Sequence, residues 1–377
     1  MDFELSEEQV LLKDSIDRFV LDNYGAEDRL KLSQSELGFS RDHWKIMAEL
    51  GWLGMAFSED VGGFGGGAVE TMIMMENMGR GLVLEPFVST VLLGGALIAE
   101  VGTDAQIEAI IPAVIEGNMM LAFGYAEAQS RFNLNDVETT ATKSGDGYVL
   151  NGTKAVVYHG GTADKIIVSA RTGGASRDKD GISLFIVDSN AAGVDIRSYA
   201  TVDGQRAADI RMENVSVGTD ALLGDESAAA PAIEKIIDQA TGALCAEAVG
   251  AMSAANELTN EYLKTRKQFG VPIGKFQVLQ HRMVDMYMEA EQSKSMSDMV
   301  AMKLDMAYED DTRKAVSAAK AQIGNAAKFV GQQSIQLHGG MGMTDEYSIG
   351  HYFKRLTTIE MLFGNTDFHL NRFSNLS

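Results

Sequence analysis

Two short segments carry residue types suited to gripping a phosphorylated ligand. Residues 266–277 read RKQFGVPIGKFQ and residues 336–342 read QLHGGMG. An arginine fork matches the oxygens of a pyrophosphate, and neighbouring glycines let main-chain N–H groups come close to an anion. Taken singly, each segment has an ordinary reading: HGG commonly ends a helix, and RxxFG reads as a helix terminus. Their pairing, order and separation set them apart from chance. A third feature is an acid in apolar company. In GALCAEAVGAM, residues 242–252, Glu247 lies among Ala243, Leu244, Ala246, Ala248 and Val249. Such a carboxylate is either buried for a purpose, its proton affinity raised by desolvation toward working pH, or paired with a basic group on a neighbouring helix.

The elements that must position these residues follow from periodicity. From Ser6 to about Glu116 apolar residues recur three and four apart, with glycine-rich breaks, which predicts helices. Ser6 followed by Glu7, Glu8 and Gln9 reads as an N-cap with an acidic first turn. Residues 59–67, EDVGGFGGG, are too rich in glycine for helix or strand and predict a loop. The run Met72-Ile73-Met74-Met75 reads as core. From Met120 to about Leu223 the texture changes to short alternating runs broken by glycine and aspartate, a β-domain, with a hairpin expected at Asn151-Gly152 after Tyr148-Val149-Leu150. From about Pro231 to Arg372 long helical segments return, interrupted at residues 338–342, and suggest a four-helix bundle. The expected fold class is α+β, with a helical domain over 1–119, a β-domain over 120–225 and a helical bundle over 226–377.

Composition narrows the partners. The chain has 377 residues and a formal net charge of -21, a field that repels nucleic acid and anionic membranes. Any phosphate of a ligand must therefore meet a local cluster of lysine and arginine. No window of about 20 uninterrupted apolar residues appears, so no membrane span is expected. The start, MDFELSEEQVLLKDSI, is acidic and lacks the basic and apolar regions of a secretion signal. One cysteine, Cys245, excludes an internal disulfide and fits a reducing compartment; a cytoplasmic location is the expectation. Four prolines and 21 methionines point to long helices with adaptable packing. No metal site is assigned.

The two segments together resemble the flavin-adenine-dinucleotide segments of the acyl-CoA dehydrogenases, and the helical, β, helical order resembles that family's architecture over essentially the full length. The resemblance implies an FAD cofactor contacted by Arg266, Gln268, Phe269 and Gln277 from the first segment. The second would supply Gln336, Gly339 and Gly340 across a dimer interface, with Tyr158 and Asn365 as further contacts. It implies an acyl-CoA substrate near Ser130, Arg131 and Gly364, its thioester carbonyl polarised by a main-chain N–H near Phe363-Gly364. The implied reaction is α,β-dehydrogenation to the trans-2-enoyl-CoA, a carboxylate removing the α-proton while hydride leaves for the flavin. The implied partners are an electron-transfer flavoprotein and a dimer of dimers, as a homo- or heterotetramer.

The chain departs from the family pattern where the base is concerned. The usual glutamate, in a tyrosine-glutamate-glycine-threonine stretch, falls by ungapped count on Phe363, and the position used by branched-chain members falls on Ala240. Neither side chain takes a proton. Glu247 follows Ala240 by seven residues, on nearly the same helix face and about 10 Å along the axis, and becomes the candidate base. The subgroup acting on bulky or dicarboxylic acyl-CoAs, of steroid side-chain or pimeloyl type, places a glutamate there and is resembled through LEPF, AEAQSRF and LFGN. Asp367 and Glu360 are reserves. The ring end of the flavin site is also altered: Ala126 replaces a threonine, and Val156-Val157-Tyr158 replace a tryptophan-isoleucine-threonine, leaving Tyr158 or Gln129 to supply the lost hydrogen bond. Two rivals follow, a non-catalytic partner subunit of a heteromeric enzyme and a flavin oxidase or monooxygenase on the same fold.

Overall fold

The computed structural model of the protein describes residues 5–376. Six helices come first: α1 (Glu7–Asn23), α2 (Ala26–Gln34), α3 (Arg41–Glu49), α4 (Ala68–Gly81), α5 (Ala96–Val101) and α6 (Asp104–Ile115), with a π-helical turn at Val88–Gly95. Eight strands follow: β1 (Leu121–Gly124), β2 (Thr140–Ser144), β3 (Gly147–Tyr158), β4 (Lys165–Arg171), β5 (Ile182–Asp188), β6 (Val194–Ala200), β7 (Arg206–Gly218) and β8 (Leu222–Leu223). The last region holds α7 (Ala230–Thr265), a small hairpin of β9 (Lys267–Gln268) and β10 (Val271–Pro272), then α8 (Gln277–Leu304), α9 (Asp310–His338), α10 (Ile349–Met361) and α11 (Thr366–Asn375). This is the α+β order expected from the sequence. Among the described residues no helix is long and apolar enough to cross a membrane.

The chain divides by contacts into two compact units. The first gathers the segment ending at Gln34, Gly67–Val83 and the segment from Thr241; the second gathers Ser35–Gly66 and Leu84–Ala240. Helices α1, α2 and α4 thus fold with the C-terminal helices, while α3, α5 and α6 fold with the sheet.

In the helical unit the predicted cap at Ser6 is a full capping box: the Gln9 N–H donates to Ser6 Oγ at 3.2 Å, and the Ser6 N–H donates to Gln9 Oε1 at 2.9 Å. Helix α9 is packed against α8, α10 and α11, and α8 against α4. Met72, Met74 and Met75 on α4 are buried, as expected of core. Two glycines let α4 and α7 touch backbone to backbone. A Cβ on Gly79 would lie 2.1 Å from the Glu247 carbonyl oxygen, and one on Gly250 would lie 1.8 Å from that of Glu76. The start of α4 takes a cap from far along the chain, since the N–H groups of Ala68 and Val69 donate to the Asp305 carboxylate just past α8. Gly67 makes room for it, because a Cβ there would sit 2.3 Å from Asp305 Oδ1.

In the other unit the strands form one sheet in the order β6-β7-β3-β2-β4-β5-β8, with β1 parallel to β4. Its core includes Tyr148, Phe185, Val168 and Ile210, and the Tyr148 and Phe185 rings meet edge-on with centroids 4.9 Å apart. The Asn151-Gly152 hairpin is a correction. β3 runs straight through both residues, and the turn lies earlier, at Gly145-Asp146, where Ser144 pairs with Gly147. Asn151 and Gly152 mark a bulge in the β3–β7 pairing instead. Gly145 at φ 57 supplies the tight turn, whereas the Asn151 side chain is occupied in accepting the Asn214 N–H at 2.8 Å. The glycine-rich stretch at 59–67 is irregular apart from one 3-10 turn at Glu59–Val61.

Candidate active site

Within the helical unit the two ligand-gripping segments come together. The first leaves α7 as the β9–β10 hairpin, whose tip is Phe269-Gly270 between the paired Gln268 and Val271. Both tip residues have positive φ, 54° and 81°, the signature of a tight turn whose twist suits a hairpin. Phe269 is 88% exposed at that tip, its ring edge-on to Phe276 at 6.1 Å. Arg266 and Gln268 are exposed on the same hairpin, and Gln277 is the exposed first residue of α8. The second segment ends α9. Gln336, Gly339 and Gly340 are exposed there, Gly339 at φ 58, and a Cβ on either glycine would meet nothing within 4 Å. Tyr262, one turn before Arg266, stacks on His338 with centroids 4.4 Å apart and donates its hydroxyl to the His338 carbonyl at 3.4 Å. That contact joins the two segments within one chain.

These residues fit a dinucleotide. The hairpin presents a guanidinium and an aromatic face outward, and the end of α9 presents glycines with open space beside them, the requirement for close approach of main-chain amides to phosphate. FAD would be held by Arg266, Gln268, Phe269 and Gln277 of one subunit together with Gln336, Gly339 and Gly340 supplied across a dimer interface.

Glu247 acquires a partner that the sequence left unnamed. It is 4% exposed and accepts two parallel hydrogen bonds from Arg355 of α10, Nε to Oε1 at 2.6 Å and Nη2 to Oε2 at 2.8 Å. A bidentate fork of this kind is the strong form of ion pair. It occupies one lone pair on each oxygen and leaves the others.

Just beyond α10 the chain makes a sharp turn through Phe363 and Gly364, at φ 56° and 111°. Positive φ at a phenylalanine is strained and persists only where its surroundings impose it. Gly364 accepts from Lys320, whereas no acceptor among the described residues takes its N–H. Asn365 caps α11, its Oδ1 accepting the Phe368 N–H at 3.0 Å. The reserve acids are also placed: Glu360 Oε1 accepts the Thr366 N–H at 3.1 Å, and Asp367 is exposed in the first turn of α11.

In the sheet unit the 126–131 loop is tied down by a buried pair. Glu127 accepts from Lys154 Nζ at 2.6 Å and from the N–H groups of Glu138 and Thr139 at 2.8 and 3.1 Å. Burial alone would raise the Glu127 carboxyl, but Lys154 and these donors hold it at about 2. Ser130 is engaged inside the same loop, donating to the Glu127 carbonyl at 2.9 Å and accepting the Glu127 N–H at 3.0 Å; Gln129 donates to the Glu127 carboxylate at 2.8 Å. Arg131 is exposed at φ 49°. Tyr158 ends β3, opposite Ala207. Next to it Val156 has φ 53° at the second irregularity of the β3–β7 ladder, and the Ala155 N–H donates to the Ala126 carbonyl at 2.9 Å. Among the described residues no cluster of three metal-ligating side chains occurs.

Three residues escaped the sequence reading: Arg355, Lys320 and His369. Lys320 did leave a trace, being a lone cation in the small-residue stretch AVSAAKAQIGNAA of α9.

Comparison with known proteins agrees with this geometry. The profiles of the acyl-CoA dehydrogenase N-terminal, middle and C-terminal domains match residues 6–118, 122–215 and 231–375. The chain is 29% identical to a probable acyl-CoA dehydrogenase, YngJ, of Bacillus subtilis, over 97% of both chains. It is 30% identical to the solved structure of a variant of the Tcur3481-Tcur3483 steroid ACAD, covering 98% of this chain and 97% of that one with a TM-score of 0.86. A solved structure described as an FAD-dependent dehydrogenase is 26% identical, with coverage of 100% and 99% and a TM-score of 0.88.

Proposed function

We propose, from the premise that this chain belongs to the acyl-CoA dehydrogenase family of FAD-dependent oxidoreductases, that it carries out α,β-dehydrogenation of an acyl-CoA thioester. FAD, when bound, supplies the acceptor for the β-hydride. The chain's own contribution is to hold the ligand, polarise the thioester and move the α-proton. Glu247 is the group assigned to take that proton, at whichever carboxylate oxygen keeps a free lone pair beside Arg355. Arg355 fixes the orientation of that carboxylate through its two parallel hydrogen bonds. The carbonyl would accept from the unpartnered amide of Gly364, an arrangement in which fixed dipoles do much of the catalysis. Arg131 would meet a phosphate or carboxylate of the ligand, Tyr158 and Asn365 would border the flavin, and the electrons would pass to a flavoprotein acceptor. Phe363 and Ala240, inert where other members carry the base, leave a pocket suited to a bulky, branched or steroid-like acyl group. The likeness to a protein described as a steroid ACAD supports that choice.

The observation that carries the reading is the acid on α7, buried and paired with Arg355 on an otherwise small apolar face. Its test is anaerobic titration of the flavin-loaded protein with a series of acyl-CoAs. Bleaching of the flavin is expected, strongest with bulky acyl groups, and its loss is expected in Glu247→Gln. Full bleaching in that variant would move the base elsewhere, and a preference for short straight chains would remove the substrate class. The bidentate pair also favours a second reading, in which Glu247 is structural and the chain is the non-catalytic half of a heterotetramer. A colourless, inactive chain that becomes yellow and active only on mixing with a partner subunit would establish it.

A further inference from the structure

The turn after α10 is held from inside by two side chains that the proposed reaction does not yet use. Lys320, in the middle of α9, is fully buried. Its Nζ donates to the carbonyl oxygens of Gly364 at 2.6 Å and Glu360 at 2.9 Å. His369 of α11, 1% exposed, lies 3.0 Å through Nε2 from the carbonyl oxygen of Phe363. A carbonyl only accepts, so Nε2 carries the hydrogen, and the imidazole is neutral with its buried Nδ1 unpartnered. Burial, reinforced by the nearby Lys320 charge, pushes the imidazole down to about 3, which keeps it in that form.

Three main-chain carbonyls of one short turn are therefore drawn onto two side chains. In a planar trans peptide the C=O of one residue and the N–H of the next point in opposite directions. Fixing the Phe363 carbonyl on His369 thus aims the Gly364 N–H the other way, and fixing the Gly364 carbonyl on Lys320 does the same for the Asn365 N–H. Neither amide finds an acceptor among the described residues. The positive φ of Phe363 is the backbone strain that accompanies this arrangement, and strain of that kind collects where a ligand is gripped, whereas glycine at 364 adopts its positive φ freely. A Cβ on Gly364 would stand 2.3 Å from Phe368 Cδ1 and 2.7 Å from His369 Nε2, so glycine is needed for the clamp to close.

We infer that Lys320 and His369 are positioning residues that aim the Gly364 and Asn365 amides at the thioester carbonyl of the substrate. The inference rests on the dehydrogenase reading above and adds to it the device that builds the donor pair. It assigns Lys320 no contact with ligand.

The test is the carbonyl stretching frequency of crotonyl-CoA labelled with 13C at the thioester, bound to the flavin-loaded protein. Wild-type protein is expected to lower that frequency relative to free crotonyl-CoA. Lys320→Met keeps the volume and removes the donor; it should still bind crotonyl-CoA within about threefold, lose most of the frequency shift, and lose roughly 100-fold in kcat with little change in KM, the scale for one misplaced oxyanion donor. Lys320→Gln, which restores N–H donors, should recover part of the shift. An unchanged shift in Lys320→Met overturns the inference. If that variant does not fold, His369→Phe reads the other half of the clamp, and an unchanged shift there overturns it equally. Wild-type protein that bleaches with acyl-CoA yet leaves the carbonyl frequency untouched would sink the clamp and spare the dehydrogenase reading, so the two fail separately.

Discussion

Lys154 in the sheet unit and Lys320 in the helical unit are both fully buried, and burial pulls both ammonium groups down to about 8. They are accommodated differently. Lys154 meets the carboxylate of Glu127 at 2.6 Å and the Ser169 hydroxyl at 3.1 Å, so its charge is cancelled on the spot. The hydrogen-bond acceptors of Lys320 are two main-chain carbonyls, which solvate the ammonium without neutralising it. In each unit a lysine pins a loop against the body of its fold, the 126–139 segment in one and the 360–364 turn in the other. A cancelled charge adds to the staple a second, acid-side dependence through Glu127, beside the titration of its lysine. A charge hydrogen-bonded only to dipoles, with the Glu360 carboxylate acting through space, stays exposed to its surroundings, and the loop it holds is the one left with free amides.

The largest effect should come from uncancelling the first lysine. Glu127→Gln leaves Lys154 buried without its counter-charge, and a loss of about 3–5 kcal/mol is expected in urea unfolding at pH 7. The same variant tests the acid side. In the wild-type protein the folded pKa of Glu127, about 2, lies below its ordinary 4.5, so the pair's contribution is complete above pH 4.5 and is lost as pH falls toward 2. Glu127→Gln should remove that slope, and an unchanged acid profile would show that the pair is not the staple.

The next effect separates the second lysine. The ordinary value for Lys320 is 10.5 and its folded value about 8. Between these the unfolded chain holds a proton that the folded chain has released, so stability attributable to Lys320 rises with pH by at most about 1.4 kcal/mol per pH unit. Unfolding free energies measured from about pH 7.5 to 10.5 should therefore climb in wild-type protein relative to Lys320→Met, whose slope lacks this component. Parallel curves would mean that Lys320 keeps its proton throughout this range and that burial has not weakened its hold on it. The smallest effect is Ser169→Ala, which removes one hydrogen bond from an ammonium that keeps its carboxylate; about 1 kcal/mol is expected from thermal melts. A loss as large as that of Glu127→Gln would place the hydroxyl, and not the charge, at the centre of the first site.

How much of this was legible in the chain depends on what kind of partner each residue has. The cap at Ser6 and the end of α7 before Arg266 are local, written within a few residues, and are read from the sequence as helix termini, whereas the Phe269-Gly270 hairpin is not. Asn151-Gly152 carries the strongest turn signature by type, yet the nearby Gly145-Asp146 makes the turn, because tertiary pairing of β3 with β7 along its whole length overrides local preference. Glu247 stood out through its apolar neighbours, but Arg355 lies 108 residues away and nothing in spacing joins them. Lys320 is harder still. Its acceptors are main-chain oxygens, which every residue possesses, so residue type at 360 and 364 does not announce the contact. A charge answered by a charge leaves two traces in a sequence; a charge answered by backbone leaves one.

The cap that Asp305 places on α4 has a consequence for how the molecule is made. The helical unit is assembled from pieces at both ends of the chain, with Leu84–Ala240 lying between them in sequence. A growing polypeptide exposes the methionine-rich side of α4 before α7 and α8 exist to cover it. At about 5–20 residues per second, the wait on the ribosome is on the order of ten to forty-five seconds. For that interval the sheet-bearing unit can mature on its own, while the early helices stay sticky and uncapped, natural clients for a holding chaperone until synthesis is nearly finished.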